Sequence, residues 1–316
     1  MTAMHNTSTA VVFEAPRQLM LRDVGLPDRA PGDCVVEVDW SGISTGTERL
    51  LWDGTMPPFP GLAYPLVPGY ESVGRVIDAG NESVIAPGTP VFIPGSRGFT
   101  DVHGIFGGAA RHLVVDSERL ITLPNPLQES GVLLALAATA HHAVARFGGE
   151  LPELIVGHGV LGRLIARLCV DRGGRPVVWE SKTERQTPSG AYDVRTAQED
   201  GDSRYIRICD ASGNAELLDD LIGHLHHGGT LVLAGFYPDR IHFDFAPAFM
   251  REISLLIAAE WQAGDLDAVQ ALIAQDRLQL DDLITHRFSA PDALPAYETA
   301  FTDPSCLKLI LDWRNL

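Results

Sequence analysis

Short hydrophobic runs separated by Gly- and Pro-rich turns fill roughly the first 120 residues, a pattern that predicts strands. In 33–41, Val36 and Val38 alternate with Glu37 and Asp39, which is typical of a half-exposed strand. A short helix is expected to follow the loop that begins at residue 42, and 53–68 and 95–108 are expected to be irregular loops. The strand candidates are 9–14, 18–24, 33–41, 72–79, 89–93 and 110–115. This region is therefore predicted to be a compact β domain.

The hydrophobic period changes near Pro124, after which helical spacing alternates with short apolar runs. Residues 127–147 are predicted to form one long helix, and 215–227 a second one that stops at Gly228 and Gly229. Further strands are predicted at 154–156, 176–180, 205–210, 230–234 and 253–259, with helices beginning at 160 and spanning 264–275. Residues 183–202 are polar and are left unassigned. Alternating strands and helices predict an α/β fold with a doubly wound parallel sheet of the Rossmann type.

The C-terminal residues return to the pattern of the first region. Strands are predicted at 285–288 and 308–313, with a helix at 293–302 between them. We expect this tail to pack onto the N-terminal β domain. The predicted domains are thus 1–123 with 283–316, and 124–282.

A glycine-rich turn between a strand and a helix is the strongest candidate for chemistry. The run Gly157-His158-Gly159-Val160-Leu161-Gly162 follows the apolar strand 154–156 and opens a helix. In a dinucleotide-binding turn the first glycine allows the sharp bend, the second admits the pyrophosphate, and the third packs helix against strand. Glu180 ends the next apolar strand, where an acidic side chain binds ribose hydroxyls. The alternative is an ordinary glycine-rich turn that binds no ligand, but the complete strand–turn–helix–strand–acid order favours a dinucleotide.

Composition excludes several classes of function. The net charge of −17 speaks against binding of nucleic acid or of an anionic membrane surface. The four cysteines (Cys34, Cys169, Cys209 and Cys306) are scattered, which argues against a disulfide scaffold or a cysteine-rich zinc site. Residues 1–8 lack the apolar core of a signal peptide, and the most apolar span, 131–140, is shorter than the ~20 residues that cross a bilayer. A cytoplasmic protein without a membrane span is expected.

The order of these parts resembles the medium-chain dehydrogenase/reductase superfamily. Its members combine an N-terminal GroES-like β domain, a Rossmann domain and a C-terminal return. The matching motifs are Gly69-Tyr70-Glu71, Gly107-Gly108-Ala109-Ala110, Asp210-Ala211-Ser212-Gly213-Asn214 and the run from Gly228 to Gly235. The resemblance implies a nicotinamide cofactor, and it adds Ser212 and Gly235 to the candidate cofactor-binding residues.

The positions that bind catalytic zinc in this superfamily carry other residues here. Ser44 stands where the first cysteine belongs, and Tyr70 stands where zinc-dependent members have histidine. Hydroxyl groups are poor zinc ligands compared with thiolate and imidazole. No metal ligand is therefore assigned, and a zinc-independent enzyme is expected.

One branch resembles the chain still more closely. The run from Ser41 to Trp52 and the segment Pro68-Gly69-Tyr70-Glu71 are similar to those of the bacteriochlorophyllide a dehydrogenases. That resemblance implies a tetrapyrrole substrate and oxidation of a C3 1-hydroxyethyl group to acetyl, with NAD as acceptor, in bacteriochlorophyll biosynthesis. Alternatives are a zinc-free quinone or enone reductase that uses NADPH, and a non-catalytic dinucleotide-binding module. Superfamily members often pair through the edge of the Rossmann sheet, so a homodimer is possible.

The resemblance places several polar side chains near the nicotinamide. The catalytic candidates are Tyr70, Ser44, Thr45 and Glu71, with Thr47 and Glu48 as further possibilities. Tyr70 is expected either to hydrogen-bond the substrate alcohol or only to fill the space of the missing zinc. The alternative for Glu71 is a structural acid that pairs with an arginine. The alternative for Glu48 is a surface ion pair with Arg49.

Other candidates also carry two interpretations. His141 and His142 are either structural or face the active site, and His158 is expected to line the pyrophosphate. Lys182 and Arg185 would favour NADP, whereas Glu180 would repel its 2′-phosphate, so NAD is predicted. Five loop aromatics form either a pigment cleft or a satellite core: Trp52, Phe59, Tyr64, Phe99 and Phe106. Arg49 or Arg97 is a candidate for binding a propionate carboxylate.

Overall fold

The computed structural model describes residues 6–104, 106–123, 127–187 and 190–316. The chain divides into two compact units, Met1–Leu134 with Leu280–Leu316, and Ala135–Gln279. The change of pattern predicted near Pro124 lies outside the described residues. Within these residues we find no helix long and apolar enough to cross a membrane.

The elements follow one another in chain order. The strands are β1 Thr7–Ala15, β2 Gln18–Gly25, β3 Asp33–Ile43, β4 Leu66–Val67, β5 Ser72–Ala79, β6 Pro90–Ile93, β7 His103–Gly104, β8 His112–Asp116, β9 Ile121–Thr122, β10 Leu154–Val156, β11 Val177–Trp179, β12 Asp193–Arg195, β13 Tyr205–Asp210, β14 Leu225–Leu233, β15 Ser254–Ile257, β16 Ile284–Ser289 and β17 Lys308–Asp312. The α-helices are α1 Thr47–Asp53, α2 Leu134–Ala145, α3 Val160–Asp171, α4 Ala197–Asp200, α5 Leu218–Gly223, α6 Phe245–Arg251, α7 Asp265–Ala274 and α8 Ala293–Thr302.

The first unit is built from two sheets. One has the order β2-β1-β4-β7, and the other has the order β16-β17-β3-β5-β6-β9, with β8 also paired to β3. β17 lies antiparallel to β3, so that Leu309 faces Ile43 and Leu311 faces Ser41. The C-terminal residues therefore complete the sheet that the N-terminal strands begin.

Alternation along β3 buries one face of that strand. Val36 and Val38 are fully buried, whereas Glu37 and Asp39 are half-buried, as the sequence pattern predicts. The buried side chains join a core to which α8 contributes Ala293, Ala296, Tyr297 and Ala300. Helix α8 thereby brings Tyr297 against residues near the N-terminus.

The second unit contains one six-stranded parallel sheet with the order β12-β11-β10-β13-β14-β15. The strand order reverses beside β10, which is the arrangement of a doubly wound sheet. This confirms the predicted fold class. β13 and α8 have the predicted bounds to the residue, as does β5 in the first unit.

One predicted helix was wrong in part, and two segments for which no helix was predicted contain one. Residues 127–147 form a 3-10 helix over Gln128–Leu133 before α2, instead of one continuous helix. The polar segment 183–202 contains both β12 and α4. Helix α6 had no predicted counterpart.

The helix predicted at 215–227 is also wrong, because α5 ends at Gly223 and β14 begins at Leu225. His226 and His227 therefore belong to a strand. Leu225 pairs with Tyr205 and Thr230 with Arg207, so β14 carries extra residues between those two pairs. Gly228 sits at φ 72° within this irregular stretch, which gives it the conformation of a bulge rather than of a helix stop.

Candidate functional site

The candidate cofactor residues all follow the carboxyl ends of neighbouring parallel strands in the second unit. Val156 at the end of β10 is in register with Trp179 in β11 and with Asp210 in β13. Asp210 is in turn level with Leu233 in β14. The glycine turn, Glu180, Ser212 and Gly235 therefore lie along one edge of the sheet. Ligands of doubly wound folds bind at this edge.

The three glycines of the turn have distinct surroundings. Gly157 adopts φ 94°, a conformation that side-chain-bearing residues rarely adopt. A Cβ atom at Gly162 would lie 1.8 Å from the carbonyl oxygen of Gly157, so helix α3 approaches the turn as closely as predicted. At Gly159 the nearest atom to a built Cβ is a guanidinium nitrogen of Arg185 at 3.9 Å. Open space beside Gly159 fits a pyrophosphate at the start of α3.

Glu180 is held by the backbone of the same turn. Its carboxylate accepts hydrogen bonds from the N–H of His158 at 3.0 Å and from the N–H of Lys182 at 2.8 Å. The residue is only 8% exposed. These bonds fix the acid at the end of β11, the position at which the sequence places a ribose-binding carboxylate.

The His158 ring supports the turn from within the unit. The residue is fully buried; Nδ1 lies 2.7 Å from the carbonyl oxygen of Arg185 and Nε2 lies 2.8 Å from the Tyr192 hydroxyl. Burial lowers the pKa of His158 to about 4, so the ring is neutral at physiological pH. The imidazole of His158 is therefore engaged by Arg185 and Tyr192, and its contact with a pyrophosphate stays a prediction.

Sequence reasoning missed Asp210, which organises the neighbouring loop. One of its carboxylate oxygens accepts the N–H of Ser212 at 2.8 Å, and the other accepts the hydroxyl of Tyr237. Burial raises the pKa of this fully buried carboxyl. Gly235 lies against the same loop, since a built Cβ there would be 2.5 Å from the nitrogen of Gly213. The sequence signal that could have identified Asp210 is an acidic residue at the end of an apolar strand.

In the first unit, the hydroxyl candidates form one cluster. Tyr70 donates to Ser44 Oγ at 2.8 Å and lies 3.4 Å from Thr47 Oγ1, while the N–H of Thr47 reaches Ser44 Oγ at 3.3 Å. Thr45 is half-buried in the same turn. Burial raises the pKa of Tyr70 above its ordinary value of 10, so its phenol stays protonated near neutral pH.

Glu71 pairs with a lysine, and the predicted arginine partner was wrong. Lys308 Nζ donates to Glu71 Oε2 at 2.5 Å and to the carbonyl oxygen of Ile43 at 3.2 Å. The side chains of Lys308 and Glu71 are 2% and 0% exposed. Oε1 of Glu71 is buried without a hydrogen bond to any described residue.

The prediction that Glu48 and Arg49 form a surface pair was also wrong. Glu48 is fully buried; it accepts the N–H of Ser44 at 3.0 Å and the hydroxyl of Tyr297 at 2.7 Å. Burial raises the pKa of Glu48 to about 7. Arg49 instead lies 3.7 Å from Asp53 on the exposed side of α1.

Two histidines and an arginine among the candidates have structural partners. His141 Nδ1 lies 2.6 Å from Asp265, and His142 Nδ1 lies 3.3 Å from the other oxygen of the same carboxylate. Arg97 contacts Asp33 at 2.6 Å and Asp116 at 3.0 Å. These contacts favour the structural interpretation of the histidine pair and leave Arg97 already engaged by two carboxylates.

The five aromatic candidates separate into two groups, and Trp52 lies in helix α1 instead of in a loop. Trp52, Tyr64 and Phe99 pack against the core of the first unit, which matches the satellite-core interpretation. Phe59 and Phe106 are 39% and 37% exposed. The Phe106 ring stands edge-on to Tyr70 with centroids 5.2 Å apart. The partly exposed ring of Phe106 thus adjoins the hydroxyl cluster.

The common metal-binding side chains are spread apart within the part of the chain that the structure describes. The four cysteines are buried, and none of them forms a disulfide bond. Over the described ranges, no three His, Cys, Asp or Glu side chains converge in a way that would hold a metal ion. The positions matching the zinc ligands of the superfamily hold Ser44 and Tyr70, which hydrogen-bond to each other.

Comparison with known proteins places the chain among dehydrogenases. Residues 30–125 match the family described as the alcohol dehydrogenase GroES-like domain. The 2-desacetyl-2-hydroxyethyl bacteriochlorophyllide A dehydrogenase of Rhodobacter capsulatus is 52% identical over 307 residues, which cover 96% of this chain and 98% of that protein. The enzyme of the same name from Cereibacter sphaeroides is 51% identical, covering 97% and 98%.

A solved structure supports the fold independently. The short chain alcohol dehydrogenase of Escherichia coli CFT073, complexed with NADH, superposes with a TM-score of 0.82 at 19% identity, covering 98% of this chain and all of that one. The resemblance inferred from the sequence is confirmed. With about half of its residues identical over nearly the full length of both relatives, the chain belongs to the 2-desacetyl-2-hydroxyethyl bacteriochlorophyllide A dehydrogenase family, within the medium-chain dehydrogenase/reductase superfamily.

Proposed function

We propose that the protein oxidises the C3 1-hydroxyethyl group of a bacteriochlorophyllide to an acetyl group, with NAD as hydride acceptor, in bacteriochlorophyll a biosynthesis. The observation that carries this proposal is the 52% identity to a relative named for the hydroxyethyl compound. The partly exposed Phe106 ring beside Tyr70 suits contact with a flat apolar substrate.

The choice of NAD rests on Glu180. A carboxylate at the end of the second strand binds the ribose hydroxyls of NAD and repels the 2′-phosphate of NADP. Its two backbone hydrogen bonds keep Glu180 at that position. Arg185 lies close to Gly159, so its cation is near the space assigned to the pyrophosphate. We therefore assign Arg185 to the pyrophosphate rather than to a 2′-phosphate.

The chemistry removes a hydride from the carbinol carbon and a proton from its oxygen. When bound, the nicotinamide ring accepts the hydride. We propose that Tyr70, Ser44 and Thr45 contact the substrate hydroxyl, and that Glu71 positions Tyr70. Because the pKa of Tyr70 is raised, its phenol stays neutral; as it receives the substrate proton it gives its own proton toward Ser44 Oγ, from which the proton leaves to water.

A direct assay tests the whole proposal. The purified protein is incubated with 3-(1-hydroxyethyl)bacteriochlorophyllide and either NAD or NADP. We expect the pigment absorption to shift as the acetyl group forms, with NAD preferred. Turnover only of quinones or enones with NADPH would instead identify a reductase, and nucleotide binding without turnover a binding module. A preference for NADP that Lys182→Ala or Arg185→Ala abolishes would reverse the cofactor assignment.

Tyr70→Phe tests the hydroxyl cluster. Removing one proton-relaying hydroxyl is expected to lower kcat by about 100-fold, within the range for general acid–base groups, with a smaller change in KM. Tyr64→Phe is the matched control, because the Tyr64 hydroxyl bonds to the Leu51 carbonyl outside the cluster. Steady-state rates of both variants decide whether the Tyr70 hydroxyl takes part in turnover. Full turnover by Tyr70→Phe would leave Tyr70 as a packing residue.

The homodimer implied by the resemblance stays a prediction. β15 is at the end of the parallel sheet, and Ile257 on it is 57% exposed. Sedimentation as a monomer would contradict pairing through this edge.

A further inference from the structure

Glu48 is a buried acid in the turn that carries the hydroxyl cluster. It is the second residue of α1, and its side chain is inaccessible to solvent. One oxygen accepts the Ser44 N–H at 3.0 Å, and the other accepts the Tyr297 hydroxyl at 2.7 Å. The carboxylate therefore joins the turn after β3 to helix α8, 249 residues further along the chain.

The charges around Glu48 do not balance. Glu71 and Lys308 lie near enough to influence it, so the buried cluster has two carboxyl groups and one ammonium group. Burial and the charge of Glu71 raise the pKa of Glu48, whereas Tyr297, the Ser44 N–H and Lys308 lower it, leaving it at about 7. Tyr70 and Tyr297 remain protonated because burial raises both of their pKa values. Glu48 is thus the group in this cluster that changes charge near neutral pH.

The two charge states of Glu48 act differently on Ser44. An ionised carboxylate accepts both hydrogen bonds, and its bond to the Ser44 N–H is strengthened by the charge. When the Glu48 oxygen that faces Tyr297 carries a proton, the Tyr297 hydroxyl becomes the acceptor of that hydrogen bond. The Ser44 N–H then donates to a neutral carboxyl oxygen, which is a weaker acceptor. Ser44 Oγ receives the Tyr70 hydroxyl, so a change at the Ser44 backbone reaches Tyr70 directly.

We propose that Glu48 is a positioning residue whose ionised carboxylate holds Ser44, and through it Tyr70, in the arrangement that binds the substrate hydroxyl. Protonation of Glu48 loosens this arrangement and slows turnover. The inference rests on the proposed function, because it concerns the hydroxyl cluster assigned there to the substrate.

The test is the pH profile of kcat between pH 5.5 and 9. We expect the wild-type rate to rise through a step near pH 7. In Glu48→Gln the carboxamide keeps both contacts as a permanent mimic of the protonated acid, so the step disappears and kcat at pH 8 falls about 3- to 10-fold, roughly the strength lost when a charged hydrogen bond becomes neutral. In Tyr297→Phe the carboxylate loses a donor, and the step moves to higher pH. Glu298→Gln, which removes an exposed charge from the same helix, leaves the profile unchanged.

A stability measurement gives a second, independent signature. Because the folded-state pKa of Glu48 lies above its ordinary value of 4.5, the native protein holds a proton that the unfolded chain releases. The stabilisation of the folded state by this bound proton is complete below pH 4.5, and it is lost as the pH rises through about 7. Wild-type stability is therefore expected to fall relative to Glu48→Gln between pH 5.5 and 8.

The outcomes separate the two proposals. No turnover of the pigment with either nucleotide defeats the proposed function and this inference together. Turnover with an unchanged step in Glu48→Gln, or with no step in the wild type, defeats the inference alone. A folded Tyr297→Phe variant whose step stays in place has the same consequence, which keeps the test decisive if Glu48→Gln does not fold.

Discussion

Gly162→Ala is expected to abolish dinucleotide binding and to destabilise the second unit. The new Cβ would lie 1.8 Å from the oxygen and 2.9 Å from the carbon of the Gly157 carbonyl. Both are backbone atoms of the turn, so no flexible side chain can move aside. Either α3 shifts away from β10 or the turn changes shape, and overpacking of this kind costs about 1–3 kcal/mol or more.

Gly159→Ala, three residues earlier, is the matched control. Gly159 has φ −74° and ψ −169°, which alanine adopts without strain, and its built Cβ meets only a guanidinium nitrogen of Arg185 at 3.9 Å. We expect its stability to stay within about 0.5 kcal/mol of the wild type, as for other substitutions that create no clash. NAD affinity should nevertheless fall, because the methyl group would occupy the space assigned to the pyrophosphate.

Denaturant unfolding and calorimetric titration with NAD distinguish the two variants. We expect Gly162→Ala to lose stability. We expect Gly159→Ala to keep its full stability and to bind NAD more weakly. Wild-type affinity in Gly159→Ala would mean that the pyrophosphate does not approach this turn. Wild-type stability in Gly162→Ala would show that the close contact with Gly157 relaxes without cost.

The cofactor edge was predictable because its information is local. Gly157, Gly162 and Glu180 lie within 24 consecutive residues, and a strand–turn–helix unit constrains each of them through its neighbours. The hydrophobic pattern likewise identified β5, β13 and α8 with their bounds. It failed at β14, because Gly228 in a bulge and a glycine at a helix stop give the same sequence signal.

The contacts that surround the hydroxyl cluster were not predictable from spacing. Glu48 meets Tyr297 across 249 positions, and Glu71 meets Lys308 across 237. Both contacts arise because the C-terminal elements α8 and β17 return to the first unit. A single sequence shows that such a return exists without showing which polar residues it brings together. Glu48 therefore appeared to be a surface residue beside Arg49.

Lys308→Met is expected to destabilise the first unit strongly. It removes the ammonium group that lies 2.5 Å from Glu71 and leaves a carboxylate with no exposed surface and no charged partner. Breaking a buried pair in this way costs about 3–5 kcal/mol, because the remaining charge stays out of water. The Ile43 carbonyl loses its 3.2 Å donor at the same time.

Arg287→Met in the neighbouring strand provides the comparison. Arg287 pairs with Glu129 at 2.5 Å, but its side chain is 48% exposed, and exposed pairs contribute only about 0–1 kcal/mol.

The double substitution Glu71→Met and Lys308→Met removes both charges and keeps the volume. It should recover much of the stability lost in Lys308→Met, since apolar replacements of a whole buried pair are often neutral. Denaturant unfolding of these three variants and of the wild type measures how much stability is lost and recovered. If Lys308→Met loses no more stability than Arg287→Met, the buried pair of Lys308 and Glu71 does not stabilise the first unit more than an exposed pair does.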